Sequence, residues 1–418
     1  FQILGDTHGT IVHLGERECS IQRRHQKVIE EAPSVALDPG LRARMGAAAV
    51  DAARSVGYTN AGTAEFMLDA DGAFYFLEMN ARLQVEHPVT ELVYGVDLVH
   101  EQLRIANGER LRFAQDDLVP RGWAIEARLN AEDPARDFLP QAGTITAFEV
   151  PRAPGVRLDA GFARGSEIPV FYDSLLAKII VWGADRAAAV TRMDATLQET
   201  TVAGVATNLP LLRAIVADDR YRAGETTTRF LDERMPGYAL SAPPRADAQA
   251  KRRVAAALLA DAADWRLGRV GVPLAFTIDG EFVRAEATFD GARWLLSGDL
   301  DGEVVSDARG AIPTADGGAV ALDGRVVRWT WPAPPSAGAE HGGHGTSSGE
   351  VTAPMPGKIV SVTTEVGAQV DEHALLVVLE AMKMEHRIEA PLAGTVRDIR
   401  VKPGDLVASG ALLVSIDA

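Results

Sequence analysis

A single cysteine, Cys19, in 418 residues excludes a disulfide framework and fits a reducing cytoplasm. As a lone thiol near the chain start it reads as structural rather than catalytic. No apolar run approaches the roughly 20 residues that span a bilayer, so no membrane partner is expected. Basic charge is also short: 42 Lys and Arg stand against 58 Asp and Glu, a net charge of −16. That balance argues against nucleic acid or an anionic membrane as partner. No signal-peptide pattern is visible. The chain opens on Phe1-Gln2-Ile3-Leu4 without a methionine, in mid-strand by its pattern, and is expected to start inside a domain. What is present, 47% hydrophobic and 24% charged residues, is ordinary for a soluble chain, and the length calls for several domains.

The chain carries an internal repeat. Ala353 to Ala381 aligns with Ala390 to Ala418 at a constant offset of 37 without a gap. Ala353, Pro354, Gly357, Gly367, Val370, Ala374, Leu375, Leu376, Val377 and Ala381 all recur. Each copy reads as short strands of Val, Ile and Leu with glycine turns. Two copies predict a flattened all-β barrel with pseudo-twofold symmetry. The junction, Glu380-Ala381-Met382-Lys383-Met384-Glu385, becomes an exposed hairpin with Lys383 at its tip. A lysine fixed between two methionines at such a tip reads as a site of covalent attachment. Ala-Met-Lys-Met resembles the motif of the biotinyl domain, which is biotinylated on its lysine. A lipoyl domain shares the fold but normally has other residues around its lysine.

Upstream the texture changes several times. Residues 1–90 alternate strands and a helix: Phe1 to Leu4 and Thr10 to Leu14 as strands, Pro39 to Val56 as a helix. Ala61 to Leu68 and Ala73 to Met79 form a hairpin around Ala70-Asp71-Gly72. Residues 91–238 mix helices and strands, with a helix from Arg186 to Gln198. Residues 239–246, with Ala242-Pro243-Pro244, read as a linker. Asp247 to Trp265 reads as one amphipathic helix with Asp247 as N-cap. Asp279-Gly280, Asp290-Gly291 and Asp301-Gly302 then recur at intervals of 11, followed by Asp323-Gly324. Such spacing predicts a small antiparallel barrel over the rest of 247–331. Residues 332–349, rich in Pro, Gly, Ser and His, form a flexible tether in which His341 and His344 read as spacers. The repeated domain is 350–418. The whole is α+β and multidomain.

The richest stretch is Glu78-Met79-Asn80-Ala81-Arg82-Leu83-Gln84-Val85-Glu86-His87-Pro88. Read as extended chain, Glu78, Asn80, Arg82, Gln84 and Glu86 share one face, and Met79, Ala81, Leu83 and Val85 the other. Glu65 lies on the partner strand of the hairpin. Two carboxylates on adjacent strands can hold a divalent metal, and Mg²⁺ prefers oxygen ligands with substrate phosphates. Gln22-Arg23-Arg24-His25-Gln26-Lys27 adds cations able to meet phosphates.

These pieces resemble the second half of a biotin carboxylase, an ATP-grasp enzyme. The resemblance is carried by Cys19 through Lys27, Gly62-Thr63-Ala64-Glu65-Phe66 and Glu78 through Thr90. Further support comes from Glu126 through Pro134, Gly155-Val156-Arg157 and Tyr172-Asp173-Ser174. It implies a partial ATP-grasp region over 1–90 and a biotin carboxylase C-terminal domain over 91–238. It further implies that Glu65, Glu78 and Asn80 hold Mg²⁺ (or Mn²⁺) on ATP, with Gln22 and His25 by the ribose. Lys27 and Arg82 would face bicarbonate and the phosphate made from it. Gln84, the Val85 main chain and Glu86 would bind bicarbonate, with Glu86 as general base, and Arg128 would help hold phosphate and biotin. Arg82 would also stabilise the enolate-like oxyanion of the deprotonated ureido ring. The family's N-terminal domain, glycine-rich lid and adenine-gripping segment are missing before Phe1, so the isolated chain is expected not to carboxylate biotin.

The domain order looks like an acyl-CoA carboxylase α subunit, most like that for 3-methylcrotonyl-CoA, with acetyl-CoA and propionyl-CoA enzymes as runners-up. A biotin protein ligase would load Lys383. Region 247–331 would dock a separate carboxyltransferase β subunit that binds the acyl-CoA. About 110 residues between carboxylase and carrier are too few for a carboxyltransferase barrel of about 250, which disfavours a single-chain pyruvate enzyme. A two-subunit pyruvate enzyme, whose carboxylase chain usually lacks this arrangement, and a biotinylated scaffold without catalysis are the remaining alternatives.

Overall fold

A computed structural model describes residues 1–136, 138–235, 248–259, 271–278, 280–290, 293–304, 311–314, 317–322, 325–331, 349–381, 384–408 and 410–417. Lys383, both linkers but for Gly349, Asp247, residues 260–270 and several of the Asp-Gly turn residues lie outside them. Among the described residues no helix is long and apolar enough to cross a membrane.

The first sheet contains β1 (Gln2–Gly5), β2 (Ile11–His13), β5 (Asn60–Leu68) and β6 (Phe74–Asn80), in the order β2-β1-β5-β6. Between them come β3 (Glu18–Arg23), β4 (Gln26–Ala32) and the helix α1 (Pro39–Ser55). α1 begins where expected because Asp38 accepts the Leu41 amide at 2.7 Å and Pro39 opens the first turn. Leu41, Met45, Ala49 and Ala53, four apart, are all buried and pack with Phe1, Ile3 and Ala64 of the sheet.

The second sheet has five strands: Val156–Ala160, Leu175–Gly183, β7 (Trp123–Asn130), β4 and β3, all antiparallel to their neighbours. Both faces are covered. Ile125, Ala127, Leu129, Ile179 and Val181 meet Val190, Met193 and Leu197 of the helix Arg186–Glu199. On the other face Ala124 and Ile180 meet Val89 and Val93 of α2 (His87–Tyr94). Period-two alternation sends Glu126 and Arg128 to the α2 side, along with Glu30 and Lys178 on the flanking strands.

In the middle region the helix Ala248–Leu259 lies against seven antiparallel strands. The expected small barrel is an open run among the described residues: the end strands Gly302–Val304 and Ala311–Thr314 are not paired, and the helix packs on both. Ala250, Val254 and Ala255 of that helix pack with Phe276 and Trp329.

The repeat is borne out strand by strand. One sheet orders Glu350–Thr352, Leu412–Asp417, Gly394–Ile399, Gln369–Val370. The other orders Met384–Glu389, Leu375–Ala381, Gly357–Val362, Leu406–Val407. Exchanging the two copies maps each sheet onto the other. Register shifts repeat too, between Ile359 and Ser361 and between Val396 and Asp398. So do two tight approaches: a Cβ on Gly357 would lie 2.6 Å from Glu380 O, and one on Gly394 2.2 Å from Asp417 O. Gly357→Ala and Gly394→Ala are therefore both expected to destabilise this domain by about 1–3 kcal/mol, read as a fall in its melting temperature. An unchanged melt for either would mean that the backbone is not held this close.

Candidate functional site

The β3–β4 hairpin turns through Arg24 and His25, both at positive φ (47° and 64°), and sets Lys27 at the start of β4. Gln22 lies directly across from Lys27. In the β5–β6 hairpin Glu65 and Glu78 are register partners, and Asp69 N donates to Ala73 O at 2.8 Å to close the turn.

The single polar face expected from Glu78 to Glu86 holds only as far as Asn80, where β6 ends. The chain then turns, and Glu86 becomes the residue preceding α2, with Pro88 in that helix's first turn. Proline fixes φ near −65° and lacks an N–H, which suits a helix start and breaks an extended reading. The turn brings the same side chains together by another route.

Glu65 Oε1 accepts Lys27 Nζ at 3.2 Å, Asn80 Nδ2 at 3.1 Å and Gln84 Nε2 at 2.6 Å. Asn80 Nδ2 also donates to Glu78 Oε1 at 3.0 Å, and its Oδ1 accepts from Arg82 at 3.2 Å. Glu86 is buried and gripped from both sides, by Lys27 Nζ at 2.6 Å and by Arg128 at 2.9 Å. Gln22 and His25 take no part in these bonds.

Three contributors escaped the sequence reading. Arg17 donates to Gln84 Oε1 at 2.8 Å and to Thr63 and Thr90. Lys178 donates to Val85 O at 2.9 Å and pairs with Asp159 at 3.1 Å, fixing the peptide before Glu86. Glu30 accepts Arg128 Nε at 2.6 Å. Glu30 and Lys178 did carry a signal: each is a charge inside a strand whose neighbours are buried and mostly apolar. Arg17, between Glu16 and Glu18, carried none.

Burial works to raise the Glu86 pKa, but Arg17, Lys27 and Arg128 outweigh it and hold it at about 2. Glu30, fully buried, is pushed up to about 7 by desolvation, with Arg128 opposing. Against desolvation, Lys27 and Gln84 keep Glu65 below the usual carboxylate range. Lys27 is desolvated, yet its acidic neighbours raise its pKa. Burial, then Glu86, pushes the Cys19 thiol up, so it stays neutral at physiological pH and is a poor nucleophile, as a structural cysteine should be.

The donor set suits a hard cation. Glu65 and Glu78 are drawn to one amide, and every candidate ligand atom is oxygen. Among the described residues no group of three or more His, Cys, Asp and Glu gathers to hold a metal. Two carboxylates completed by substrate oxygens is the Mg²⁺ pattern. Beside them, Lys27 and Arg128 converge on the buried Glu86 from two strands.

Three families match the chain. Residues 1–114 match the ATP-binding domain of the carbamoyl-phosphate synthase L chain, 126–233 the biotin carboxylase C-terminal domain, and 349–416 the biotin-requiring enzymes. The mitochondrial propionyl-CoA carboxylase alpha chain of Mus musculus is 37% identical over 465 residues, covering 100% of this chain and 63% of its own length. The mitochondrial methylcrotonoyl-CoA carboxylase subunit alpha of Arabidopsis thaliana is 34% identical, covering 99% and 66%. Among solved structures, the bicarbonate-bound biotin carboxylase domain of a thermophilic 2-oxoglutarate carboxylase is similar with TM-score 0.57. Its identity is 49%, over 58% of this chain and 54% of that one. The chain spans 47% to 66% of the length of the curated relatives it matches.

Proposed function

We propose, for a chain that carries the biotin carboxylase domains and the biotin–lipoyl domain of the biotin-dependent carboxylases, that it acts as the α subunit of an acyl-CoA carboxylase. In this reading ATP and bicarbonate carboxylate a biotin attached to Lys383, and a separate carboxyltransferase β subunit passes the carboxyl group to an acyl-CoA. The observation that carries it is the meeting of Lys27, Glu86 and Arg128 beside the paired carboxylates Glu65 and Glu78. Residues 247–331 are read as the docking domain for the β subunit. Among acyl-CoAs, 3-methylcrotonyl-CoA is our first choice. The relatives described support propionyl-CoA as well, since α chains of both kinds match along the chain.

The residues divide the work. Bicarbonate must lose a proton to become a nucleophile, and Glu86 is the buried carboxylate placed to take it. At a pKa of about 2 the clamped Glu86 is a feeble base. An anion that draws Lys27 and Arg128 toward itself loosens the clamp and raises Glu86 toward useful basicity. Those same cations then meet the charge that develops on the phosphorylated intermediate. Lys178, through Val85 O, and Arg17, through Gln84, keep the turn that presents Glu86 in place. Mg²⁺, held by Glu65, Glu78 and Asn80, would neutralise phosphate charge, and biotin on Lys383 would carry the carboxyl group between sites.

The test follows labelled bicarbonate into 3-methylcrotonyl-, propionyl-, acetyl- and geranyl-CoA, using the complete α subunit with its native β partner. Preference for 3-methylcrotonyl-CoA supports the first choice; preference for a straight-chain thioester moves the assignment to that substrate. A subunit that binds no nucleotide and incorporates no label would be a biotinylated scaffold instead.

A further inference from the structure

The site has an acidic annexe that the steps above do not use. Glu30 on β4 and Glu126 on β7 are register partners, so their side chains rise from the same face of adjacent strands, about 5 Å apart at Cβ. Both are completely buried under α2. Among the described residues, neither oxygen of Glu126 has a hydrogen-bond donor, nor has Glu30 Oε2. Two ionised carboxylates this buried, on register partners of adjacent strands, would repel each other without bulk water to screen them, so one of the pair is held as the neutral acid.

The groups that face this pair are few, and from β4 and β3 Lys27 and Cys19 act on the Glu30 side. Arg128 stands two residues from Glu126 on β7 and gives Nε to Glu30. From the next strand comes Lys178, the register partner of Arg128, which is already committed to Val85 O and Asp159. At the start of α2 lies Glu86, on the far side of Arg128. His87, next along, is turned to Gln84 O and Glu91. Arg128 is thus one guanidinium shared between Glu30 and Glu86, and Glu126 is the neighbour that resists a second charge on the pair.

We propose that Glu30 and Glu126 are positioning residues for Glu86, forming a buried acid pair that takes up one proton from solvent when bicarbonate draws Arg128 away. At rest Glu126 is neutral and Glu30 is the carboxylate bound to Arg128. Bicarbonate then replaces Glu30 as the anion on Arg128. Glu30, left beside Glu126 in a fully buried site, binds a proton and no longer competes for the guanidinium. Glu86, which starts far lower and is also paired with Lys27, rises less and stays ionised as the base. This proposal rests on the bicarbonate reading of the site.

Difference infrared spectroscopy of the full-length protein at about pH 8 tests it, since a protonated carboxyl shows a C=O band that a carboxylate lacks. Without bicarbonate, one buried protonated carboxyl is expected, lost in Glu126→Gln. Adding bicarbonate should add a second such band, lost in Glu30→Gln. Absence of the first band, failure of bicarbonate to produce the second, or a second band that survives Glu30→Gln would each overturn the proposal. Should either variant fail to fold, the wild-type spectra still decide, because both bands are required there. A protein that shows both bands and yet carboxylates no biotin would remove the catalytic reading and leave the acid pair standing.

Discussion

Under the proposed function, Lys383→Ala is expected to abolish biotin incorporation and, with it, all acyl-CoA carboxylation, down to the level without enzyme. The effect is total because a carrier without its attachment point has nothing to carry between two active sites. It is also expected to be chemical rather than structural. Ala381 and Met384, the motif residues on either side of Met382 and Lys383, are register partners, and the domain core is built from Ile359, Leu376, Leu379, Ala381, Leu413 and Val414, none of which the substitution changes. A streptavidin blot reads the first effect and a melt of the variant reads the second. Lys358 and Lys402 are exposed lysines in the same domain and serve as internal controls. Biotin retained on the Lys383→Ala protein, on either of them, would sink the assignment of the attachment site.

Glu86→Gln in the complete subunit should lower bicarbonate-dependent turnover by about 10²–10⁴-fold, the usual contribution of a positioned general base. Glutamine keeps the shape and can still accept from Lys27, and Arg128 retains Glu30, so nucleotide binding and folding at neutral pH should survive. The acid limb of stability should change as well. Ion pairing holds Glu86 far below the ordinary glutamate value of 4.5, at about 2. Its contribution is therefore present above pH 4.5 and lost as the pH falls toward 2. The variant lacks that contribution at neutral pH and should lose less stability over this window than the wild type. Turnover within threefold of wild type would exclude Glu86 as the base.

The parts of this protein that follow from local rules could be read without a structure. The helical pattern from Pro39 to Val56 returns as α1, Pro39–Ser55. The turn at Asp69 to Ala73 places Glu65 opposite Glu78. A repeat with an offset of 37 returns as two sheets that exchange under it, because identical patterning of glycine and apolar residues buries identical strands. The reading went astray where one local rule was carried too far. Alternation was extended through Arg82, Gln84 and Glu86, although Pro88 had already committed the chain to a helix.

Sequence by itself determined the internal repeat and its lysine motif, the hairpin that pairs Glu65 with Glu78, and the residue types available for anion and proton chemistry. Each depends on neighbours within one strand, turn or repeat, where period and steric preference decide. Only tertiary structure decided that Lys27, Glu86 and Arg128 form one cluster, since they come from β4, the turn before α2, and β7. It alone recruited Arg17 and Lys178, and it alone placed Glu126 beside Glu30 in a buried layer. Proton affinity in such a layer depends on desolvation and on which charges lie within a few ångströms, and both are set by packing between segments far apart in the chain.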